Sequence, residues 1–350
     1  MSSESVMKAV LVKNGKGPIE NLYIGDAPRP QATLPGQVLV KVKMFGLDRM
    51  DIWQREGKYP LPPGTTEILG VEFSGSVAEV GPNVQDFNVG DEVFGLAYGG
   101  AYAEYVLVNA GTLLPKPPKL SWEHAAAIPE AWLTAYQALV LILDVKKGGN
   151  VLIHAGASGV GIAAIQLANL FGANHIISTA GSQEKLDFLK SMPLPPTSTV
   201  NYKTEDFSNR VAEITAGKGV DAIVDFIGQD YWNKNISSLA LDGRMVLLAT
   251  LGGGSMPPGA EITPILYKRL RIQGSTLRSR NQEYQTGLIN GFNRDVLNKI
   301  EGCRTGSQGE DDHLKIYVHK VFKWTEIQEA HREMEQNKNS GKIVVEVSQT

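Results

Sequence analysis

Val151-Leu152-Ile153-His154-Ala155-Gly156-Ala157-Ser158-Gly159-Val160-Gly161 decides the fold. An apolar run of strand length, Val151 to Ala155, enters a turn made of glycine and other small residues. From Gly159 to Phe171 the apolar residues Val160, Ala163, Ala164, Leu167, Ala168 and Phe171 then follow helical spacing. Against the pattern Gly-x-Gly-x-x-Gly, the stretch keeps the first and last glycines at Gly156 and Gly161, with Ser158 at the middle site and Gly159 beside it. Small residues let the backbone turn tightly, let a pyrophosphate approach the amide groups, and let helix pack on strand. A glycine motif alone is a weak signal. The strand before it and the helix after it make this one a dinucleotide-binding turn.

The sequence downstream repeats the same rhythm. Strand candidates at His175 to Thr179, Thr199 to Asn201, Val220 to Asp225, Arg244 to Leu248 and Leu270 to Gln273 alternate with helical stretches such as Gln183 to Lys190 and Glu205 to Ala216. Strands separated by helix-length segments imply βαβ units and a parallel, doubly wound sheet. Upstream, beyond a helix-like segment from Ser121 to Leu143, the texture changes. Val38, Val40 and Val42 alternate with Leu39, Lys41 and Lys43, and turns fall at Pro35-Gly36, Pro62-Pro63-Gly64, Gly81-Pro82-Asn83, Gly90-Asp91 and Gly99-Gly100. Short strands with regular turn punctuation predict a β-rich, barrel-like domain. At the other end, Thr325 with Gln328 reads as a capping box before a helix whose face is Ile327, Ala330 and Met334. Gly341 to Val347 reads as a strand that rejoins the first domain, and Gly302 to Asp312 as an exposed loop.

Composition bounds the function. The 350 residues are 42% hydrophobic and 20% charged, which suits two folded domains and excludes a disordered or fibrous chain. A net charge of −3 advertises no broad polyanionic partner. The one cysteine, Cys303, excludes a disulfide framework and a thiolate-rich zinc site. The polar start Met-Ser-Ser-Glu-Ser lacks the features of a signal peptide, and Ala131 to Leu143 is too short to span a bilayer. A cytoplasmic protein is the expectation, with the sequon at Asn235 a chance match.

The end of the second strand of the nucleotide domain decides which dinucleotide is bound. NAD-binding chains carry Asp or Glu there for the ribose 2′-hydroxyl. This chain reads Thr179-Ala180-Gly181-Ser182-Gln183-Glu184-Lys185, with no acid at the strand end. Ser182 can donate to a phosphate oxygen and Lys185 can supply positive charge, so the expected cofactor is NADPH.

At this point the whole chain resembles the zinc-free quinone oxidoreductases of the medium-chain dehydrogenase/reductase superfamily, and within them the tumour-suppressor-inducible branch. The resemblance runs through Ala125 to Ala135, His154 to Gly161, Thr179 to Ser182, Asn201-Tyr202-Lys203, Leu239 to Arg244, Leu277 to Arg280 and Glu326 to His331. It implies an α/β protein in two parts. A GroES-like, β-rich catalytic domain would take residues 1–125 and 315–350, and a Rossmann NADPH-binding domain residues 126–314. It also implies a homodimer assembled through the Rossmann sheet. Zinc alcohol dehydrogenases carry a cysteine near Leu47 and a histidine in the motif that here reads Gly70-Val71-Glu72. Apolar Leu47 and Val71 cannot ligate zinc, so no metal is expected.

Without a Lewis acid the reduced nicotinamide must carry the chemistry, and quinones or conjugated enones suit it because hydride addition leaves a delocalised oxyanion. The resemblance implies Thr134 near the nicotinamide, Tyr202 and Asn337 towards the adenosine phosphate, and Ile227, Leu251, Gly252, Thr276 and Leu277 at the nicotinamide end. Asp48 stands where the superfamily often has Asn; it keeps an acceptor and loses the amide donor. Ser158, Gly159, Val160 and Gly161 are the expected pyrophosphate contacts. Tyr59, in Gly57-Lys58-Tyr59-Pro60, is the candidate for substrate contact and for proton donation, and Trp53 and Trp132 could stack on a planar substrate. His154 and Cys303 read as structural. The alternative reactions are reduction of an enoyl or 2-alkenal double bond. A third alternative is an RNA-binding role like that of ζ-crystallins, with Lys268, Arg269, Arg271, Arg278 and Arg280 as the patch. That cluster lacks an interleaved stacking platform. The Pro-rich segments Lys190 to Ser198 and Gly254 to Glu261 read as surface-loop elaborations.

Overall fold

The computed structural model describes residues 5–303 and 314–348. The chain begins with β1 (Val6–Val12), β2 (Leu22–Pro28), β3 (Gln37–Leu47), α1 (Arg49–Arg55), β4 (Glu72–Val80), β5 (Glu92–Leu96), β6 (Tyr105–Asn109) and β7 (Leu113–Pro115). Two helices follow, α2 (Trp122–Ala126) and α3 (Pro129–Tyr136). The middle of the chain alternates β8 (Val151–Ile153), α4 (Gly159–Leu170), β9 (Ile176–Ala180), α5 (Gln183–Lys190), β10 (Ser198–Asn201), α6 (Phe207–Ile214) and β11 (Val220–Asp225). It continues with α7 (Trp232–Ser238), β12 (Leu239–Leu247), α8 (Thr263–Tyr267) and β13 (Arg271–Gly274). The last elements are α9 (Gln282–Asp295), β14 (Val318–Lys323), α10 (Ile327–Glu335) and β15 (Lys342–Glu346).

These elements form two compact units. In the first, a seven-stranded sheet runs β14-β15-β3-β4-β5-β7, with β6 also pairing β3, and β1 and β2 form a separate antiparallel pair. β3 is its long central strand. Val38, Val40 and Val42 are fully buried, as their alternation predicts, and Leu39 on the opposite side is buried too. Val40, Phe45, Leu47, Phe73, Val93 and Ile343 share one core. β15 pairs antiparallel with β3, placing Ile343 opposite Leu47, so the C-terminal strand completes the sheet begun near the N-terminus.

The second unit holds a six-stranded parallel sheet in the order β10-β9-β8-β11-β12-β13. Counted from β8, this is the 3-2-1-4-5-6 order of a doubly wound fold, and the order reverses between β8 and β11. Every residue of β8 and β9 is buried, as expected of parallel strands covered on both faces.

The units divide after Leu133 and after Thr276, whereas the sequence places the divisions at 125/126 and 314/315. The reason lies in side-chain contacts. Arg278 donates to the Tyr98 carbonyl and to Gln54, and Tyr98 donates to the Arg280 carbonyl. α9 packs on the tight turn Ala110–Thr112, so this segment goes with the first unit. The helix-like stretch from Ser121 to Leu143 is also broken. Pro129 cannot donate a backbone hydrogen bond and starts a new helix, which ends in a π-helical turn at Gln137–Ile142. The box expected from Thr325 and Gln328 forms two residues earlier. Lys323 N–H donates to Glu326 Oε2 at 2.9 Å, while Gln328 donates to the Leu22 carbonyl. Of the loop expected at Gly302 to Asp312, residues 304–313 lie outside the described residues.

Candidate active site

The glycine-rich turn lies at the carboxyl end of β8, beside the point where strand order reverses. Ser158 caps α4, its Oγ accepting the Gly161 N–H at 3.0 Å. The N–H groups of Gly159 and Val160 have no acceptor within the helix and carry the positive end of its dipole. Gly161 is required here: a Cβ would lie 2.4 Å from the Ala155 carbonyl oxygen. Such an end fits a pyrophosphate.

The end of β9 is built in the same way. Ser182 caps α5 by accepting the Lys185 N–H at 3.3 Å, which leaves its hydroxyl hydrogen free to donate outward. Tyr202, 43% exposed, follows β10, and its Oη would be 2.5 Å from a Cβ on Gly181. Gly181, Ser182 and Tyr202 thus meet at the end of β9, with Lys185 in the first turn of α5. Further along that edge, Gly252 N–H donates to the Ile227 carbonyl at 2.8 Å and Leu251 N–H to Phe226 at 3.0 Å. Thr276 follows β13. Thr134, in α3, has a buried hydroxyl oxygen without a hydrogen-bond partner, which a ligand could complete.

The four remaining candidates, Asp48, Tyr59, Leu277 and Asn337, belong to the first unit. Asn337, in the left-handed region at φ 53°, accepts from Arg49 at 2.6 Å. Leu277 is buried, and its carbonyl accepts from Gln285. Tyr59 is half-buried beneath the Arg278 guanidinium, 5.5 Å from ring centre to Cζ. It also lines a cavity of about 270 Å³ with Val12, Lys16, Gln54, Glu67 and Leu69.

Asp48 leads into a buried polar cluster that the sequence reading did not assemble. Lys342 Nζ donates to the Leu47 carbonyl at 2.8 Å and Asp48 Oδ1 at 2.6 Å, and meets Glu72 Oε1 at 2.5 Å. Glu72 Oε2 in turn accepts the Glu130 N–H at 2.7 Å. Asp51 Oδ2 accepts from Asp48 N–H and from Tyr102 Oη. Beyond Tyr102, His331 Nε2 lies 3.4 Å away, with Arg55 Nη1 3.2 Å from His331 Nδ1. Arginine can only donate, so Nδ1 accepts and the ring hydrogen sits on Nε2. Burial, then the charge of Asp48, pushes Asp51 up to about 7 and Glu130 up to about 8. Burial also holds Glu72 well above the carboxylate range. The sequence signal for this cluster was slight, because each acid or base stands alone in its own stretch.

Outside this cluster, His154 and Cys303 are buried. His154 bonds Thr179 and Asn235 within the second unit, and burial pushes it down to about 4. Trp132 is buried, Trp53 half-buried, and burial pushes the Cys303 thiol up to about 12. Arg278 is buried, which removes it from any nucleic-acid patch, and Lys268 caps the carbonyls of Ile236, Ser237 and Leu239. Among the described residues, no group of three or more His, Cys, Asp or Glu is disposed to hold a metal, and no helix is long and apolar enough to cross a membrane.

Residues 34–118 match the family model of the alcohol dehydrogenase GroES-like domain, and residues 159–292 that of zinc-binding dehydrogenases. Human quinone oxidoreductase is 30% identical over 285 residues, 81% of this chain and 84% of that protein. The Mycobacterium bovis phenolphthiocerol synthesis polyketide synthase Pks15/1 is 35% identical over 237 residues, 67% of this chain, of which this chain spans only 11%. Among solved structures, an NAD-dependent alcohol dehydrogenase is 34% identical with a TM-score of 0.81, covering 98% of this chain and all of its own. The CurK enoyl reductase is 28% identical with a TM-score of 0.81 over the same shares. With a GroES-like sheet, a doubly wound nucleotide-binding sheet and these relatives, the chain belongs to the medium-chain dehydrogenase/reductase superfamily of oxidoreductases.

Proposed function

We propose that this protein is an NADPH-dependent, zinc-independent reductase of quinones, ortho-quinones among them. The observation that carries the cofactor choice is the edge of β9. Ser182 and Tyr202 lie by Gly181, with Lys185 in the first turn of α5, where an NAD-binding chain would present an acid, and these residue types suit a 2′-phosphate. In this reading Ser158 to Gly161 hold the pyrophosphate, Thr134, Ile227, Leu251, Gly252, Thr276 and Leu277 the nicotinamide end, and Asp48 and Asn337 the cofactor from the catalytic domain. When bound, the reduced nicotinamide supplies a hydride. Tyr59, with the cavity beside it, meets the substrate. Leu47 and Val71, both buried and apolar, leave no ligands where zinc dehydrogenases hold their metal.

The quinone assignment rests on the likeness to human quinone oxidoreductase. A second reading, reduction of a conjugated carbon–carbon double bond, draws on the likeness to the CurK enoyl reductase. Turnover of 9,10-phenanthrenequinone against a 2-alkenal and an enoyl thioester separates them. Faster quinone reduction is expected, and turnover confined to the alkenal or thioester would select the second reading.

The same reading includes a homodimer. β13 is an edge strand with Arg271, Gln273 and Gly274 exposed, and Ile262, Leu266 and Tyr267 nearby are each 73% exposed. An open strand edge with apolar flanks suits pairing with a second copy. A cytoplasmic location remains the companion expectation.

A further inference from the structure

We propose that Gln54 is a ligand-recognition residue, its side-chain amide donating to a carbonyl oxygen of a compact aromatic quinone seated in the cavity of the first unit. The inference rests on the quinone-reductase reading above for the class of ligand alone. The site itself is built within one unit, because every residue lining the cavity belongs to the first.

The cavity holds about 270 Å³. Pockets for drug-sized ligands run to about 300–1,000 Å³, so this one suits a small fused-ring molecule. Val12, Leu61 and Leu69 give it apolar walls, while Gln54 and Tyr59 bring a buried amide and a half-buried phenol. The walls are tied together without a ligand. Gly17 N–H donates to the Arg55 carbonyl at 2.8 Å, and Arg55 Nε donates to the Gly17 carbonyl at 3.2 Å. These two bonds fasten the segment after β1 to the end of α1, so little ordering is left for binding to impose.

Gln54 is 6% exposed, and Arg278 sets the direction of its amide. Arginine can only donate, so the Gln54 atom 2.7 Å from Arg278 Nη1 is the oxygen, Oε1. Nε2 is therefore on the other side of the amide, where it donates to the Glu67 carbonyl at 3.1 Å. That bond uses one of its two hydrogens. The second has no acceptor among the described residues, and a ligand carbonyl would complete it. Arg278 is anchored in turn by Nε to the Tyr98 carbonyl at 2.6 Å, and its guanidinium lies over the Tyr59 ring, 5.5 Å from Cζ to ring centre. One anchored guanidinium thus engages both Gln54 and Tyr59. Burial raises the Tyr59 phenol, so it keeps its proton at neutral pH and can donate as well. An uncommitted amide hydrogen and a phenol between apolar walls select an acceptor on a flat apolar frame, and an aromatic quinone is such a molecule.

The test is equilibrium titration without NADPH, using 9,10-phenanthrenequinone and phenanthrene, which has the same rings and no carbonyl. Gln54→Glu keeps the size of the side chain and an acceptor for Arg278 but removes both amide hydrogens. It should weaken quinone binding by about 3- to 10-fold, the worth of one hydrogen bond, and leave phenanthrene within about twofold. Leu61→Trp, which narrows the cavity from a half-buried wall, should weaken both on the order of tenfold. Unchanged quinone affinity in Gln54→Glu, an equal loss of quinone and phenanthrene there, or no effect of Leu61→Trp on either overturns the proposal. Quinone turnover with NADPH that persists beside such a result leaves the quinone-reductase reading standing. Carbonyl-selective binding that depends on Gln54, without any turnover, removes that reading and upholds the site.

Discussion

Lys342 and Glu72 meet at 2.5 Å in the interior of the first unit, with side chains 6% and 0% exposed. The ammonium is the hub of the carboxyl cluster, and burying it without partners would be costly. Replacing it with methionine keeps the bulk and strands Asp48 and Glu72. Lys342→Met should cost about 3–5 kcal/mol in urea unfolding. A loss below about 1 kcal/mol would show that the cluster does not hold the sheet together.

Stability should also fall as pH rises above about 6.5. Asp51 and Glu130, with ordinary values of 3.8 and 4.5, are raised to about 7 and about 8. Between these limits the folded chain binds more protons than the unfolded one, so raising the pH favours unfolding. His154 and His331 act oppositely: lowered from 6.5 to about 4 and about 3, they make stability rise with pH, but only up to 6.5. From pH 6.5 to 8.5 the carboxyls act without this opposition, and the loss should be on the order of 2 kcal/mol. Thermal unfolding across that range checks it, and Glu130→Gln should flatten the slope.

Cofactor choice should depend on one ammonium group. Lys185→Ala should weaken NADPH binding by about 10- to 100-fold, the worth of a charge-assisted phosphate contact, and leave NADH unchanged. Nicotinamide fluorescence measures both. An equal loss for the two cofactors would mean that Lys185 acts on the fold of α5 rather than on the phosphate.

The parts legible in sequence are those written locally. The β8 to α4 turn needs a strand, small residues and a helix in one stretch, and α5 begins and ends where its spacing predicts. The carboxyl cluster is different. Glu130 and Glu72 are 58 positions apart, and Lys342 and Asp48 are 294 apart, so their meeting depends on β15 pairing with β3 and on α3 packing nearby. Glu72 could be read as structural from its motif, yet nothing in the chain said which cation it meets. Boundaries failed where a tertiary contact overrode a local signal. Gln328 reaches the Leu22 carbonyl instead of capping its own helix, and residues 277–303 follow Arg278 and α9 into the first unit.

The exposed edge of β13 gives a prediction about assembly. Sedimentation should find a dimer, and Ile272→Pro, which removes a backbone donor from this strand and stiffens it, should shift the population towards monomer. A dimer unmoved by this change and by Leu266→Glu would place the contact elsewhere.

The most direct test follows nicotinamide oxidation with NADPH and NADH side by side, using 9,10-phenanthrenequinone as acceptor in metal-free buffer with a chelator. The account predicts rapid oxidation of NADPH, much slower oxidation of NADH, and no loss of rate on chelation. Equal use of the two cofactors, a chelator-sensitive rate, or tight NADPH binding with no quinone turnover would contradict it.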